Sequence, residues 1–270
     1  MAKSNLPNNK TKKQLVPPVK YPGGKRFLVP KILPFWLNSD CQRLVEPFSG
    51  GLSVAIGVSP KKALLNDKNP HIINFYLWVQ KGMKIDIPMH NDESLYYEYR
   101  ERFNKLVSSG KPSTKISASL FYYLNKTGYN GLVRFNKSGL WNVPFGTHKT
   151  ITYKRVFPEI EEVIKSWVFK SNDFSKLKIK NTDLLYLDPP YDVEFRSYSQ
   201  GGFHWDDQTR LLEWLESYKN PIIISNQATD RIVKLYKSFG FKLDYINVPR
   251  MISCNGNRKR AVEVFATKNI

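Results

Sequence analysis

The run Asp183-Leu-Leu-Tyr-Leu187, followed by Asp188-Pro189-Pro190-Tyr191, is the clearest indication of the fold class of this chain. A short apolar run with structure-breaking residues next to it is typical of a fully buried strand. Three similar runs occur at Leu44-Val45-Glu46, Ala63–Asp67 and Pro221–Ser225. Strands that are buried on both faces occur in parallel sheets covered by helices. The sequence therefore predicts an α/β fold, with Asp188 at the sheet edge where such folds bind ligands.

Helical and strand patterns alternate along most of the remaining chain. We expect helices over 92–108, 116–126 and 229–239, a helix capped by Asp206, and strands over 166–170, 241–248 and 260–267. Residues 128–150 are rich in glycine, asparagine and proline, which predicts a long loop with a hairpin. We therefore expect a flexible basic arm over 1–18, a main domain formed by 19–68 and 155–270, and an inserted domain over 69–154.

The charge of the chain predicts a nucleic-acid partner. The 270 residues include 42 Lys and Arg but only 23 Asp and Glu, so the net charge is +19. No acidic residue lies between Glu101 and Glu159, a stretch with ten basic and ten aromatic residues. Basic side chains neutralise phosphates, and aromatic rings stack on bases. A membrane surface would favour one amphipathic basic helix, whereas glycines and prolines interrupt this stretch.

Composition also excludes several classes of protein. No apolar stretch approaches the ~18–20 residues that span a bilayer, and the amino terminus lacks the apolar region of a secretory signal. Cys41 and Cys254 cannot form a disulfide framework, and they suit a reducing compartment. The four histidines form no ligand-spaced cluster, so we expect no metal. We predict a cytoplasmic monomer with no membrane partner.

The motif Asp188 to Tyr191 carries the predicted chemistry. Asp188 accepts hydrogen bonds, and the two prolines fix the backbone without adding N–H donors. Asp188 and the Pro189 carbonyl can therefore receive the two N–H groups of an exocyclic amine, while Tyr191 stacks on its ring. The alternative is a proline-rich strand end with a surface acid and a packing tyrosine.

Two further motifs together predict a nucleoside cofactor, and a third predicts a site for a carboxylate. Glycines in Glu46-Pro-Phe-Ser-Gly-Gly51 follow the first strand and allow a ligand to approach the backbone. Asp67 ends the next strand, where an acid can hold two ribose hydroxyls. Backbone N–H groups and the ammonium of Lys25 in Lys20-Tyr-Pro-Gly-Gly-Lys25 can receive a carboxylate. A plain turn is the alternative for the glycine loop, and a helix-leading turn with solvated lysines is the alternative for the last motif.

With these motifs in this order, the chain resembles the Dam-like DNA adenine N6-methyltransferases from Lys20 to Thr267. The resemblance implies a doubly wound Rossmann-like methyltransferase sheet with an inserted, mainly helical target-recognition domain. It also implies S-adenosylmethionine as cofactor and double-stranded DNA as partner. The expected reaction transfers a methyl group to a flipped adenine, with GATC as the preferred target.

The resemblance assigns roles to individual residues. The expected catalytic residues are Asp188, Pro189, Pro190 and Tyr191. The expected cofactor contacts are Tyr21, Gly23, Lys25, Phe48, Gly50, Asp67, Asp173, Phe174 and Asp188. The expected DNA contacts are Lys20 at an outer guanine, Tyr129 as an intercalating ring, Asn130, Leu132 and Arg134 at base edges, and Pro144 at a thymine methyl.

The chain departs from the family pattern at three positions. Leu52 stands where the cofactor loop often has its last glycine, Tyr21 replaces a common tryptophan, and Thr147 replaces an arginine found in close relatives. Two rival functions stay open at this point. One is methylation of another amino group, in RNA adenine or a protein glutamine, and the other is a catalytically silent DNA-binding module.

Overall fold

The computed structural model describes residues 15–192, 202–248 and 261–270. Its helices are α1 Val29–Leu37, α2 Ser53–Val58, α3 Pro70–Gln80, α4 Glu93–Ser108, α5 Lys115–Thr127, α6 Pro158–Ile164, α7 Trp205–Glu216 and α8 Asp230–Ser238. Its strands are β1 Arg43–Glu46, β2 Ala63–Asn66, β3 Val168–Lys170, β4 Asp183–Leu187, β5 Ile222–Gln227, β6 Lys242–Val248 and β7 Ala261–Lys268. The predicted arm up to residue 14 lies outside the described residues. So does the segment 250–256, which resembles a later, less specific motif of the Dam-like family.

The seven strands form one sheet in the order β3-β2-β1-β4-β5-β7-β6. Neighbours from β3 to β5 are parallel, and β7 pairs antiparallel with both β5 and β6. The chain leaves β1 toward β2 and returns to β4 on the other side of β1, so β1 and β4 form the topological switch point. Ligands of open α/β sheets bind outside the carboxyl ends of the strands at such a point.

Side chains on the two faces of the sheet belong to different apolar cores. Leu44, Leu184 and Ile223 pack with α1, α2, α3 and the insertion. Val45 and Leu185 alternate with them and pack with α7 and α8. Alternation follows from the period of two in a strand. It places Glu46, Tyr186 and Asp188 together on the face that carries the insertion.

The region between β2 and β3 contains α3, α4, α5 and a hairpin. Buried aromatic rings form its core, and the hairpin closes through isolated bridges between Gly128 and Phe145 and between Phe135 and Trp141. Side chains of Asp92 and Thr114 cap α4 and α5, as these residue types prefer. The boundaries of the target-recognition domain remain a prediction, because its core is continuous with one face of the sheet.

The sheet and the alternating helices confirm the predicted fold class, but the predicted cap of α7 is wrong. The helix begins one residue before Asp206, and His204 caps it in a reciprocal arrangement with Asp207. The His204 backbone N–H donates to Asp207 Oδ2 at 2.9 Å. Within the described ranges, no helix is long and apolar enough to cross a membrane.

Candidate active site

Asp188 lies immediately after β4 and is held by donors on both oxygens. The Lys25 ammonium lies 3.0 Å from Oδ2, and the Ser225 hydroxyl donates to Oδ1 at 2.9 Å. Burial raises the pKa of the Asp188 carboxyl, while Lys25 and Ser225 oppose that rise. The side chain is still 19% exposed, so its remaining lone pairs can receive a ligand.

Lys25 lies between several predicted site residues. Its side chain is only 4% exposed, and its Nζ donates to the Gly23 carbonyl at 2.6 Å. The same Nζ lies 4.7 Å from the centre of the Tyr191 ring. The structure thus places Lys25 against the catalytic motif, whereas the sequence suggested only a contact with the cofactor carboxylate. The predicted cofactor contact would compete with the observed Asp188 pair for one ammonium group.

The cofactor loop and Asp67 form a single hydrogen-bonded unit. Gly50 N–H donates to Asp67 Oδ2 and Asn69 N–H donates to Oδ1, both at 2.8 Å. Burial raises the pKa of Asp67, and the two backbone donors oppose that rise. Each carboxylate oxygen retains acceptor capacity, which suits two vicinal ribose hydroxyls.

Tyr21 packs directly on the glycines of the loop. A Cβ at Gly51 would lie 2.7 Å from the Tyr21 Cβ, so the close approach requires glycine. The departure at Leu52 also has a structural correlate, because Leu52 has a φ of +62° in the left-handed region. A non-glycine residue in that region is strained by about 1–2 kcal/mol. The glycine common at this place in the family would avoid that strain.

Sequence reasoning missed two polar groups of the site. Glu46 Oε1 and Ser49 Oγ are buried without a hydrogen-bond partner among the described residues. Burial raises the pKa of Glu46, and the negative charge of Asp188 raises it further. The position of Glu46 at the carboxyl end of β1 was the available signal. Unpartnered polar atoms beside a glycine loop fit a polar cofactor such as S-adenosylmethionine.

Two of the predicted cofactor contacts, Phe48 and Phe174, lie on the other face of the sheet. Phe48 and Phe174 have ring centres 5.6 Å apart, and Phe203 lies 5.4 Å from Phe48. Asp173 forms a two-point ion pair with Arg210 at 2.8 and 3.0 Å. A hydrogen bond from Arg210 lowers the pKa of Asp173. Phe48 is half-buried and Phe174 is buried, so Phe48 offers more of its ring to a ligand.

The structure brings the predicted DNA contacts together on the hairpin. Tyr129 N–H donates to the Pro144 carbonyl at 3.0 Å, and the Tyr129 side chain is 42% exposed. Arg134 donates to the Asn142 side chain and carbonyl, both at 2.9 Å. Asn130 and Arg134 are exposed, as base-reading side chains must be in the free protein, whereas Leu132 is half-buried.

Lys20 joins this hairpin from a distant part of the sequence. Its backbone N–H and carbonyl bind the side chain of Asn125 at 2.8 and 2.7 Å. Its side chain packs on Gly131, where an added Cβ would lie 2.5 Å from Lys20 Cδ. Burial and the neighbouring Lys20 lower the pKa of Lys126 to about 8. Two close ammonium groups make this corner of the surface suitable for an anion.

The candidate site offers no evident metal cage. Within residues 15–192, 202–248 and 261–270, no group of three His, Cys, Asp or Glu side chains is arranged to hold a metal ion.

Comparison with known proteins gives matches over most of the chain. Residues 21–252 match the family of D12 class N6 adenine-specific DNA methyltransferases. The chain is 35% identical to the Retron Ec67 DNA adenine methylase of Escherichia coli, over 83% of this chain and 82% of that protein. It is 33% identical to a DNA adenine methylase of E. coli strain K12, over 91% and 92%. It is 31% identical to a Type II methyltransferase of Paramecium bursaria Chlorella virus NC1A, over 88% and 99%.

These matches confirm the predicted enzyme class and its methyl donor, S-adenosylmethionine. They favour DNA adenine over RNA adenine or a protein glutamine, and an enzyme over a silent DNA-binding module. The roles of single residues and the target sequence remain predictions. The chain belongs to the D12 class of N6 adenine-specific DNA methyltransferases.

Proposed function

We propose that this methyltransferase acts on an adenine flipped out of duplex DNA, within the sequence GATC. The observation that carries the proposal is the Asp188 carboxylate, fixed at the switch point by Lys25 and Ser225. An acceptor held on both oxygens is preorganised for one orientation of an amino group. Preorganised positioning of this kind supplies a large share of catalytic rate enhancement.

The catalytic motif orients the N6 amino group. Asp188 accepts one N6 hydrogen and the Pro189 carbonyl accepts the other, so the nitrogen lone pair projects away from the adenine ring. Gln208 Nε2 donates to the Pro190 carbonyl at 2.9 Å, which fixes the second proline of the turn. Tyr191 stacks on the extruded ring, and contact with an aromatic face helps to offset the few kcal/mol lost on flipping.

The methyl-donor site is formed by the loop after β1 and the residues around it. S-adenosylmethionine supplies an electrophilic methyl group. Asp67 binds the ribose hydroxyls of the cofactor. Phe48, Phe174 and Asp173 contact the adenine of the cofactor. Tyr21, Lys25 and the backbone at Gly23 and Gly50 bind the methionine end.

The hairpin supplies target recognition. Tyr129 enters the base stack, Asn130, Leu132 and Arg134 contact base edges, and Pro144 contacts a thymine methyl. Lys20 reaches an outer guanine. The support for this arrangement is the exposure of Tyr129 and Arg134 beside Lys20 and within an acid-free segment.

The first experiment tests the catalytic role of Asp188. Radiolabelled methyl transfer to a duplex with one GATC site is measured for wild type, Asp188→Ala and the control Asp244→Ala. Asp244 is 54% exposed and pairs with Lys31, so its loss leaves the site intact. We expect Asp188→Ala to lose turnover while it still binds DNA. Near-native methylation by this variant contradicts the assignment.

The second experiment tests the target sequence. Wild type and Arg134→Ala are compared on GATC and on duplexes that differ from it by one base pair. Each mismatched pair is expected to cost wild type about 1–3 kcal/mol, and Arg134→Ala is expected to lose part of this discrimination. Equal rates of wild type on all duplexes refute GATC, and unchanged discrimination by the variant removes Arg134 from base reading.

A further inference from the structure

A chain of two buried hydroxyl groups ends at the catalytic carboxylate. Tyr186 Oη lies 3.0 Å from Ser225 Oγ, and Ser225 Oγ lies 2.9 Å from Asp188 Oδ1. Tyr186 is 3% exposed and Ser225 is 1% exposed. Tyr186 pairs with Ile223 in the register of β4 and β5, so Ser225 lies two residues further, beside Asp188 and on the same face.

The direction of these hydrogen bonds follows from the number of hydrogens available. An ionised carboxylate only accepts, so the single hydroxyl hydrogen of Ser225 points to Asp188. Tyr186 then donates to Ser225. The alternative acceptor for Ser225, the Leu187 carbonyl, is farther away at 3.4 Å. Ser225 therefore donates one hydrogen bond to Asp188 Oδ1, and Tyr186 donates in turn to the Ser225 hydroxyl.

We propose that Ser225 is a positioning residue for methyl transfer, and that Tyr186 orients the Ser225 hydroxyl. The inference rests on the catalytic role proposed above for Asp188. Neither residue touches the adenine. Together they hold the carboxylate plane so that its free lone pair faces the N6 hydrogen.

Ser225 differs from Lys25, the other donor to Asp188, in mobility and in competing partners. Lys25 has a long flexible side chain, and it also donates to Gly23 and is proposed to bind the cofactor carboxylate. Ser225 has one side-chain torsion and lies in a central strand. A cofactor that draws Lys25 away from Asp188 therefore leaves Ser225 as the donor that keeps the carboxylate in place.

Asp188 interacts electrostatically with several titratable groups and with the Ser225 hydroxyl, and these interactions set its response to pH. The groups that shift its pKa, or whose own pKa it shifts, are Lys25, Glu46, Tyr186, Tyr191, Ser225, Tyr236 and Glu263. Removal of the Ser225 hydroxyl eliminates one hydrogen bond that favours the ionised over the protonated form of Asp188. The pKa of Asp188 should therefore rise, and activity should be lost at a higher pH on the acidic side.

The test compares Ser225→Ala and Tyr186→Phe with wild type in steady-state and single-turnover methylation. Loss of a hydrogen bond to a charged group predicts a fall in kcat of about 10- to 100-fold for Ser225→Ala. Tyr186→Phe removes only the supporting donor, so we expect a fall of about 2- to 10-fold. KM for DNA and for S-adenosylmethionine should stay near wild type in both variants. The acidic limb of the pH profile should move to higher pH.

Matched controls separate positioning from a general loss of packing. Ser119→Ala removes a buried hydroxyl that bonds Lys115, and Tyr123→Phe removes one that bonds His90, both in α5. These controls should keep the wild-type pH profile and kcat. Thermal melting of all four variants measures the loss of stability separately. If Ser225→Ala does not fold, the kcat and pH profile of Tyr186→Phe test the positioning role.

Two results overturn the proposal. One is a Ser225→Ala enzyme with wild-type kcat and an unshifted acidic limb. The other is a Tyr186→Phe enzyme that behaves like the Tyr123→Phe control. Asp188→Ala serves as the reference for the underlying function. If that variant is inactive while Ser225→Ala is unaffected, the positioning role fails and the catalytic role of Asp188 stands.

Discussion

Asn125 offers the sharpest test of how the proposed cofactor site is connected to the proposed DNA surface. Its side chain is fully buried in α5 and holds both backbone groups of Lys20, at 2.8 and 2.7 Å. Lys20 precedes Tyr21 and Lys25 of the proposed cofactor site and packs on Gly131 of the hairpin. The change Asn125→Ala therefore releases a segment that both sites share.

The expected cost follows from the two bonds lost. Each hydrogen bond contributes about 1 kcal/mol net, and each polar group left without a partner adds up to about 1 kcal/mol more when it is only partly buried. The free energy of unfolding should fall by about 2–4 kcal/mol, or about 4–8 °C in Tm for a chain of this size. Misplacement of Tyr21 and Lys25 should also weaken S-adenosylmethionine binding about fivefold, equivalent to about 1 kcal/mol.

Asn104 provides a matched control for this change. Its side chain holds the backbone of Trp141 through two bonds at 3.1 and 2.8 Å, but this contact lies within the insertion. Urea denaturation and calorimetric cofactor titration of Asn125→Ala and Asn104→Ala give the two quantities needed. Both variants should lose stability, and only Asn125→Ala should lose cofactor affinity. Equal cofactor affinity in the two variants would refute the reasoning.

Three other perturbations have outcomes fixed by charge. Lys25→Met removes the ion pair with Asp188, so the pKa of that carboxyl should rise. The acidic limb of the pH profile, measured in single-turnover methylation, should then move to higher pH, and an unmoved limb argues against the pair. Burial lowers the pKa of His71 to about 4, below its unfolded value, so stability should fall as the pH drops toward 4. Relative to His71→Phe, wild type should lose about 3 kcal/mol between pH 7 and 4 in urea titrations, and parallel pH curves contradict this. Raising salt from about 50 to 200 mM should weaken DNA binding by a factor of ten or more in a fluorescence titration, whereas salt-independent affinity contradicts a phosphate-binding surface.

Most of the sheet could be predicted because its strands are apolar runs with sharp ends. The four predicted runs match β1, β2, β4 and β5 to within two residues at each end, and Asp67 and Asp188 directly follow β2 and β4. The cap of α7 could not be found in the same way. Histidine is not among the preferred capping residues, and Asp206 and Asp207 offer equivalent local patterns.

Local patterns could identify the site motifs but not the contacts between them. Asp67 and the loop at Gly50 were predicted to work together because both follow neighbouring strands. The Lys20–Asn125 and Arg43–Asp183 contacts join residues more than a hundred positions apart, and no periodicity indicates them. Glu46 was missed because only the structure shows that its Oε1 is buried without a hydrogen-bond partner among the described residues.

The Lys25–Asp188 pair links the two halves of the predicted chemistry. The sequence predicts that Lys25 contacts the cofactor and that Asp188 contacts the target adenine, but the charged atoms of the two residues are only 3.0 Å apart. If the Lys25 ammonium binds both Asp188 and the carboxylate of S-adenosylmethionine, it stabilises each carboxylate less than it would stabilise one of them alone. Cofactor binding should therefore weaken the ion pair between Lys25 and Asp188. The Asp188 carboxylate should then accept a stronger hydrogen bond from N6. Ser225 donates to Oδ1, the oxygen that does not contact Lys25, so we expect this bond to hold Asp188 in place while its acceptor strength rises.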